Sequence, residues 1–257
     1  MSIENLSIIV VNYNTTKMVN QIERFCFNNN INLIIVDNSN NYISLTNHSK
    51  LIQPGSNLGF GKACNLGAEN SDSDILLFLN PDAVIDIDTL KYLSSREVPT
   101  STIWGPVVSG DGNNVKILEH NDKGFLKFIR YARALTSFNT DVFSTCLISG
   151  ACLFIYRKNF LELDGFDEDI FMYAEDLDLC LKNIDNGGDC RLFLSTNVKH
   201  IGGTSSVGKD KLIGKYRRLI RSYNGHYSFF NKRYSFIISI INSIYLSSGF
   251  VSKFNKY

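Results

Sequence analysis

The stretch LSIIVVNYNTTKMVNQIERFCFNNNINLIIVDNSN, residues 6–40, contains an apolar run at each end and an amphipathic segment between them. Residues 6–11 and 33–36 are apolar runs rich in β-branched side chains, which predicts two buried strands. The segment between them has its apolar positions at helical spacing, and Thr15 or Thr16 is expected to cap that helix. The stretch therefore predicts one strand–helix–strand unit of a parallel sheet.

The same alternation continues along the chain. A further strand is predicted at residues 75–79. A loop at 54–61 is predicted to lead into a helix that ends at about residue 68, and another helix is predicted at 87–94. The less regular second half adds strands at 103–108, 147–156 and 191–194 and helices at 157–163 and 174–184. This pattern predicts an α/β fold with a Rossmann-like, mostly parallel central sheet flanked by helices. Without an internal repeat or a low-complexity linker, we expect one catalytic domain over residues 1–206 and a C-terminal helical extension over residues 207–257.

Polar residues follow the predicted strands. Asn12 and Asp37 end the first two, and the third is followed by Asn80, Pro81 and Asp82. In open α/β sheets the ligand crevice lies outside the carboxyl ends of the strands, so these side chains should converge on one site.

Composition excludes several classes of protein. The chain has 257 residues, is 44% hydrophobic and carries a net charge of +1, so it can bury a large core and is not expected to be disordered or to bind nucleic acid. Its six cysteines form no CxxC pair, which favours reduced, buried thiols over disulfides or a zinc site. The apolar run at residues 6–11 is too short for a signal peptide and lacks a preceding basic region, which predicts a cytoplasmic protein.

The region from residue 209 to residue 257 interleaves basic and aromatic side chains. Its apolar stretch, residues 234–250, is shorter than a membrane-spanning helix and is interrupted by serines. We expect this extension to make peripheral contact with the inner face of an anionic membrane. The alternative is a pair of helices that packs on the catalytic domain or on a second subunit of a homo-oligomer.

Five residues are candidates for chemistry, and each also has a structural interpretation. Asp37 is either a nucleoside ligand or the start of an Asx turn. Asp82 either holds a divalent cation or forms a plain turn. Glu175 and Asp176 either are first-turn acidic residues stabilised by the helix dipole or supply a general base. His200, which precedes a glycine-containing loop at 202–206, is either a ligand or a structural residue.

Six motifs, taken together, resemble glycosyltransferase family 2, the inverting GT-A enzymes, and particularly its bacterial rhamnosyltransferase-like branch. They are VVNYN (10–14), IVDNSN (35–40), NLGFGKACNLG (57–67), LFLNPDA (77–83), SGACLFIYRKNFLELDGFDEDIFMYAEDLDLCLK (149–182) and KHIGG (199–203). The resemblance covers roughly residues 5–206 and implies a GT-A fold. The long fifth motif is its most specific part.

The resemblance implies a binding site for a nucleotide-sugar donor. Asn12 and Asp37 would contact the nucleoside, and Asn57, Gly59 and Lys62 would lie near the diphosphate or the sugar. Relatives often have a small residue where this chain has Lys62.

The resemblance also implies the reacting groups. Asp82 would bind Mg²⁺ or Mn²⁺, and His200 would be a second ligand to the metal or the diphosphate. Asp176 would be the catalytic base, with Glu175 beside it. Many GT-A enzymes have Asp-x-Asp at the position where this chain has Asn80, Pro81 and Asp82. Only one carboxylate is therefore available there.

The activity implied is transfer of a sugar, L-rhamnose from dTDP-rhamnose, with inversion onto a hydroxyl of a lipid-linked glycan or a growing bacterial surface polysaccharide such as an O-antigen. Two alternatives stay open. One is a UDP-hexose or UDP-hexosamine transferase of the same fold, and the other is a non-catalytic nucleotide-sugar-binding subunit of a polysaccharide assembly complex.

Overall fold

A computed structural model describes most of the chain: residues 5–109, 114–120, 126–132, 141–200, 211–233, 239–241 and 243–244. At residues 114–120, 126–132 and 211–218 it describes the backbone alone. The helices are α1 (Thr16–Asn29), α2 (Phe60–Glu69), α3 (Ile87–Ser94), α4 (Arg157–Glu162), α5 (Glu175–Asp185) and α6 (Lys211–Arg233). The strands are β1 (Leu6–Asn12), β2 (Asn32–Asp37), β3 (Ser49–Ile52), β4 (Ile75–Leu79), β5 (Ala83–Val84), β6 (Thr102–Ser109), β7 (Asn114–His120), β8 (Leu126–Ala132), β9 (Val142–Ser144), β10 (Cys152–Tyr156) and β11 (Asp189–His200).

One nine-stranded sheet forms the centre of the molecule, in the order β3-β2-β1-β4-β10-β6-β11-β5, with β9 also paired to β11. The first four strands are parallel throughout, as the alternating sequence pattern predicts. Parallel neighbours need a crossover connection, which α1 supplies between β1 and β2. Helix α2 then carries the chain from β3 at the edge of the sheet back past β2 and β1 to β4.

The other half of the sheet is mixed. Strand β10 lies between β4 and β6 and runs antiparallel to both. The crossover through α3 therefore keeps β4 and β6 in the same direction, and β10 enters the gap between them from the opposite end. Strand β11 is parallel to β6, whereas the short β5 and β9 pair with it in antiparallel fashion.

Each face of the sheet carries its own apolar core. Successive residues of a strand point to opposite faces, so Ile8 packs with the residues of α1 and α3, and Ile9 packs with those of α2, α4 and α5. Trp104 is fully buried on the α3 side, where its indole N–H donates to the carbonyl of Leu93 at 3.0 Å. All six cysteines are free thiols and buried.

Two strand boundaries differ from the sequence-based expectation, and one hairpin was not predicted. The strand predicted at 147–156 begins only at Cys152, because residues 147–151 form the turn that leads to the site. The strand predicted at 191–194 is the twelve-residue β11, which continues past a register shift between Phe193 and Asn197. Strands β7 and β8 lie where the sequence predicted no element, and they pair as an antiparallel hairpin.

Helix α6 packs against α5. Phe229 and Phe230 are 1% and 0% exposed and join a small apolar cluster with Ala174 and Leu177. Packing on the domain, one of the two interpretations of the extension, is therefore observed for the C-terminal end of α6. Within the part of the chain that the structure describes, no helix is both long and apolar enough to cross a membrane.

Candidate active site

The carboxyl ends of β1 and β2 hold the first group of predicted residues. Asn12 and Asp37 are register partners, and both are 0% exposed. The Asp37 carboxylate accepts hydrogen bonds from the Asn12 amide at 2.8 Å, the Ser39 hydroxyl at 2.6 Å, and the backbone N–H groups of Asn41 and Tyr42 at 2.7 Å each. Burial alone would raise the pKa of Asp37, but these hydrogen bonds hold it below its ordinary value.

This arrangement shows what the two residues do within the protein. The N–H of Ser39 also donates to Asp37, which makes the Asx turn that the sequence left as an alternative to ligand binding. Asn12 accepts from both the N–H and the hydroxyl of Thr15, at 3.0 and 2.9 Å. Thr15 is the N-cap residue of α1, which confirms one of the two predicted positions. Its side chain makes no capping hydrogen bond, because its hydroxyl donates to Asn12 instead.

The loop before α2 lies beside this turn. The Asn38 side chain accepts from the N–H of Leu58 and donates to the carbonyl of Gly59, so it joins the β2 end to the loop. Gly59 has φ +83°, and a Cβ there would lie 2.3 Å from the carbonyl oxygen of Phe171. Only glycine fits such a contact. The exposed Asn57 accepts from the Gly59 N–H at 3.0 Å, which orders the loop.

Lys62, one turn into α2, lies on the outer side of this region. Its ammonium group pairs with Glu168 at 2.7 Å, and both side chains are about half exposed, at 47% and 50%. A surface pair of this kind contributes little stability. It connects α2 to the loop that leads to the predicted catalytic carboxylates.

The predicted metal ligands come together at the ends of β4 and β11. Strand β5 pairs Ala83 with His200, which brings the imidazole to Asp82. The His200 Nε2 lies 3.0 Å from the Asp82 Oδ1 and 3.3 Å from the Asn80 amide. Asp82 is 7% exposed and the His200 side chain 28%, so the pair is largely shielded from solvent. The glycine-rich loop predicted after His200 lies outside the described residues.

The spacing of Asp82 and His200 fits a divalent cation. Mg²⁺ binds its ligands at about 2.0–2.1 Å in octahedral geometry, which puts neighbouring ligand atoms about 3 Å apart. Among the residues that the structure describes, no cluster of three or more His, Cys, Asp or Glu side chains is found. A cation on Asp82 and His200 would therefore depend on diphosphate oxygens for further ligands, as Mg²⁺ commonly does.

The predicted catalytic pair opens α5. Both oxygens of Asp176 accept backbone hydrogen bonds at 2.9 Å, Oδ2 from Gly150 and Oδ1 from Leu177. Burial raises the pKa of Asp176, and burial followed by the charge of Asp176 raises that of Glu175 well above its ordinary value. Glu175 is 8% exposed, and its Oε2 has no hydrogen-bond partner within the described part of the chain.

Hydrogen bonds and close contacts join these groups into one site. The Asn80 N–H donates to the carbonyl of Ala151, and the neighbouring Gly150 N–H donates to Asp176. Phe60 lies within van der Waals contact of the position where a Cβ on Gly150 would stand. The loop before α2, the Asp82–His200 pair and the Glu175–Asp176 pair therefore lie close together at the carboxyl ends of the parallel strands.

Sequence reasoning missed three residues that build the site. The Gly150 amide orients Asp176, and the only sequence signal was an unexplained glycine in an apolar run. Asn38 links two loops, yet it resembles any other turn residue. The Phe171 carbonyl accepts from the Phe60 N–H at 3.1 Å, and its ring, in a residue that is 44% exposed, lies against Gly59.

Comparisons with known proteins agree with this geometry. The family model "Glycosyltransferase like family 2" matches residues 7–192. Rhamnosyltransferase WbbL of Escherichia coli (strain K12) is 27% identical over 129 residues, which are 44% of this chain and 46% of that protein. N-acetylglucosaminyl-diphospho-decaprenol L-rhamnosyltransferase of Mycobacterium tuberculosis is 27% identical over 158 residues, 51% of each chain. This chain thus aligns with about half the length of these relatives.

Solved structures share the fold at low sequence identity. GalNAc-T7, solved with UDP, GalNAc and Mn²⁺, has a TM-score of 0.59 at 15% identity. The match covers 88% of this chain and 50% of the GalNAc-T7 chain. The Pyrobaculum calidifontis mannosyltransferase PcManGT, solved with GDP-Man and Mn²⁺, has a TM-score of 0.58 at 12% identity and covers 98% and 79%. These likenesses confirm the predicted GT-A fold. The family model, which matches most of the chain, shows that this protein belongs to glycosyltransferase family 2.

Proposed function

We propose that this protein is an inverting glycosyltransferase that moves a sugar from a nucleotide-sugar donor to an acceptor hydroxyl. The observation that carries the proposal is a chain of contacts: His200 lies next to both Asp82 and Asn80, Asn80 donates to Ala151, and the adjacent Gly150 donates to Asp176. This path brings a pair suited to a diphosphate-bound cation next to a carboxylate suited to general-base catalysis, in a chain of the matching family.

Asp176 acts as the base in this proposal. It takes the proton of the acceptor hydroxyl as that oxygen attacks the anomeric carbon, and the nucleoside diphosphate leaves from the opposite face. One displacement breaks the carbon–phosphate-oxygen bond, forms the new glycosidic bond and inverts the anomeric centre, so no enzyme nucleophile is needed. Burial raises the pKa of Asp176, which strengthens it as a base, and the Gly150 and Leu177 amides hold its orientation.

Glu175 supports this role through its protonation. Its raised pKa favours the neutral form in the presence of an ionised Asp176, because two adjacent buried carboxylates resist a double negative charge. The pair then titrates as a unit, with the negative charge kept on the carboxylate whose two oxygens already accept backbone hydrogen bonds.

The donor site is proposed at the neighbouring strand ends. Asn12 and Asp37 shape the nucleoside side by holding the turn at residues 38–42, while Asn57, Gly59 and Lys62 border the path to the diphosphate. Asp82 and His200 would hold Mg²⁺ or Mn²⁺. When bound, the cation supplies Lewis-acid stabilisation of the charge that builds on the leaving diphosphate.

The proposed donor is dTDP-rhamnose, and the proposed acceptor is a lipid-linked or growing bacterial surface polysaccharide such as an O-antigen. The names of the two rhamnosyltransferases support this choice. UDP in the GalNAc-T7 structure keeps a UDP-sugar as the second candidate. The proposed location is the cytoplasm at the inner face of the membrane, where the six free thiols would stay reduced and the C-terminal extension would contact lipid.

Two measurements test the proposal. Calorimetric titration with dTDP and with UDP, each with and without Mg²⁺ or Mn²⁺, should show metal-dependent binding of dTDP and weaker binding of UDP. Asp176→Asn should lower turnover by about 10²–10⁴-fold while nucleotide binding stays intact, because general-base assistance is typically of that size.

Asp88→Asn is the matched control, since Asp88 is also an acidic residue in the first turn of a helix, α3, but is exposed. Equal loss of turnover in both variants would show that only a helix-dipole contribution had been removed. Stronger binding of UDP would change the donor assignment. Absence of both nucleotide binding and turnover would favour the non-catalytic subunit.

A further inference from the structure

The turn that leads into the catalytic carboxylates has an unusual backbone. Tyr173 and Ala174 both have positive φ, +70° and +75°, although neither is glycine. Ala174 is the N-cap residue of α5 and makes no side-chain capping bond. Non-glycine residues in this region persist only where the surrounding structure holds them. The position of Asp176 at the start of α5 therefore depends on whatever holds this turn.

The middle of α6 lies directly against the turn. A Cβ on Gly225 would stand 2.2 Å from the carbonyl oxygen of Met172 and 2.3 Å from that of Tyr173. Both are backbone atoms, so no rotation of a side chain could relieve the overlap. Gly225 thus lets the α6 backbone approach the two carbonyls that precede the catalytic pair.

Two basic residues at the end of α6 form ion pairs with the same region. Lys232 donates to Asp167 at 2.6 Å and to Asp169 at 2.8 Å, both in the loop that runs into the turn. Arg233 pairs with Asp178 of α5 at 3.4 Å and with Asp185 at 2.6 Å. The contacts of α6 therefore fall on both sides of the carboxylate pair, one set before it and one set after it along the chain.

We propose that α6 is a positioning element of the active site, in which Gly225 and Lys232 hold the 172–174 turn and so aim Asp176. The inference rests on the proposed function of Asp176 as the base. It assigns the C-terminal helix a role in the transfer step itself, separate from any contact with a membrane.

The test combines kinetics with hydrogen exchange on the full chain. Gly225→Ala should push the turn away, lowering kcat by about 10²-fold, the size expected for a misplacement of about 1 Å, while the donor KM stays within about twofold. Lys232→Met should lower kcat less, and Lys232→Arg should restore it because arginine can still pair with both aspartates. Exchange at the amides of residues 172–178 should speed up in Gly225→Ala and Lys232→Met.

Two controls separate positioning from general destabilisation. Gly67→Ala introduces a comparable overlap, 2.5 Å from Ile9 Cγ2 in the core, and should lower Tm without a selective loss of kcat. Lys158→Met removes an exposed lysine whose pair with Glu162 lies on α4, and should change nothing.

Unchanged kcat in Gly225→Ala, with an active wild-type protein, would overturn the inference. Unchanged exchange at 172–178 in both variants would overturn it whatever the turnover. A wild-type protein that transfers no sugar fails the proposed function instead, and the exchange measurement still decides whether α6 holds the turn.

Discussion

Glu23 gives the most specific stability prediction, because it is 1% exposed and its carboxylate accepts hydrogen bonds from several residues of the segment 42–49. It accepts hydrogen bonds from the hydroxyls of Tyr42, at 2.6 Å, of Ser49, at 2.6 Å, and of Ser44 and Thr46. Burial alone would raise the pKa of Glu23, but these bonds lower it from an ordinary value of 4.5 to about 2.

The expected effect of Glu23→Gln follows from that difference. A drop in pKa from 4.5 to about 2 corresponds to about 3 kcal/mol of folding free energy at neutral pH, since each tenfold change in proton affinity is worth about 1.4 kcal/mol. Because the folded-state pKa is depressed, the contribution is complete above about pH 5 and is lost as the pH falls toward 2. By pH 3 we expect about 2 kcal/mol of it to be gone.

The measurement is urea denaturation of both proteins from pH 7 to pH 3. The difference in unfolding free energy between wild type and Glu23→Gln should be about 3 kcal/mol at pH 7 and about 1 kcal/mol at pH 3. Other carboxylates titrate over the same range, but they do so in both proteins, so the difference isolates Glu23.

Glu162→Gln is the control, because the Glu162 side chain is 62% exposed and forms only a 3.9 Å pair with Lys158. It should change the unfolding free energy by less than about 0.5 kcal/mol at every pH. If Glu23→Gln changes the unfolding free energy equally at pH 7 and pH 3, the hydrogen bonds do not lower the pKa of Glu23 and the reasoning is refuted.

Two further substitutions probe the site and its support. Gly59→Ala should weaken nucleotide binding at least tenfold, because a Cβ there meets the Phe171 carbonyl at 2.3 Å; Gly55→Ala, with the same φ of +83° but nothing within 4 Å, should show only the backbone strain. Titration calorimetry compares the two, and equal losses would contradict the steric argument. Asn183→Ala should lower the free energy of unfolding in urea by about 2–4 kcal/mol, because this side chain, 1% exposed, donates to two backbone carbonyls and accepts from the Asn159 amide. A loss below about 1 kcal/mol would contradict this.

Much of the fold could be predicted from periodicity alone. The runs at 6–11, 33–36 and 75–79 are strands, and the segments between them contain the predicted helices α1 and α2. Such elements are predictable because the spacing of apolar residues shows which side of a segment is buried. The short strand β3, which lies between β2 and α2, was not predicted. The convergence of Asn12 and Asp37 also followed from the sequence, since parallel strands end at one edge.

The interpretation of single residues was less complete. The sequence pattern could not show that the Asp37 carboxylate accepts hydrogen bonds from residues 39–42, because those bonds depend on the backbone conformation of that segment. It could not show that Gly150 holds Asp176 either, since the two are 26 residues apart and no spacing rule connects them.

The sequence by itself determined the α/β alternation, the polar strand ends and the family motifs, all of which are written within short segments. Only the tertiary structure decided that β10 runs antiparallel between β4 and β6, that Asp82 meets His200, and that α6 braces the turn before Asp176. The physical reason is the range of the interactions. Periodicity and turn chemistry act over a few residues, whereas these contacts join parts of the chain that packing alone brings together.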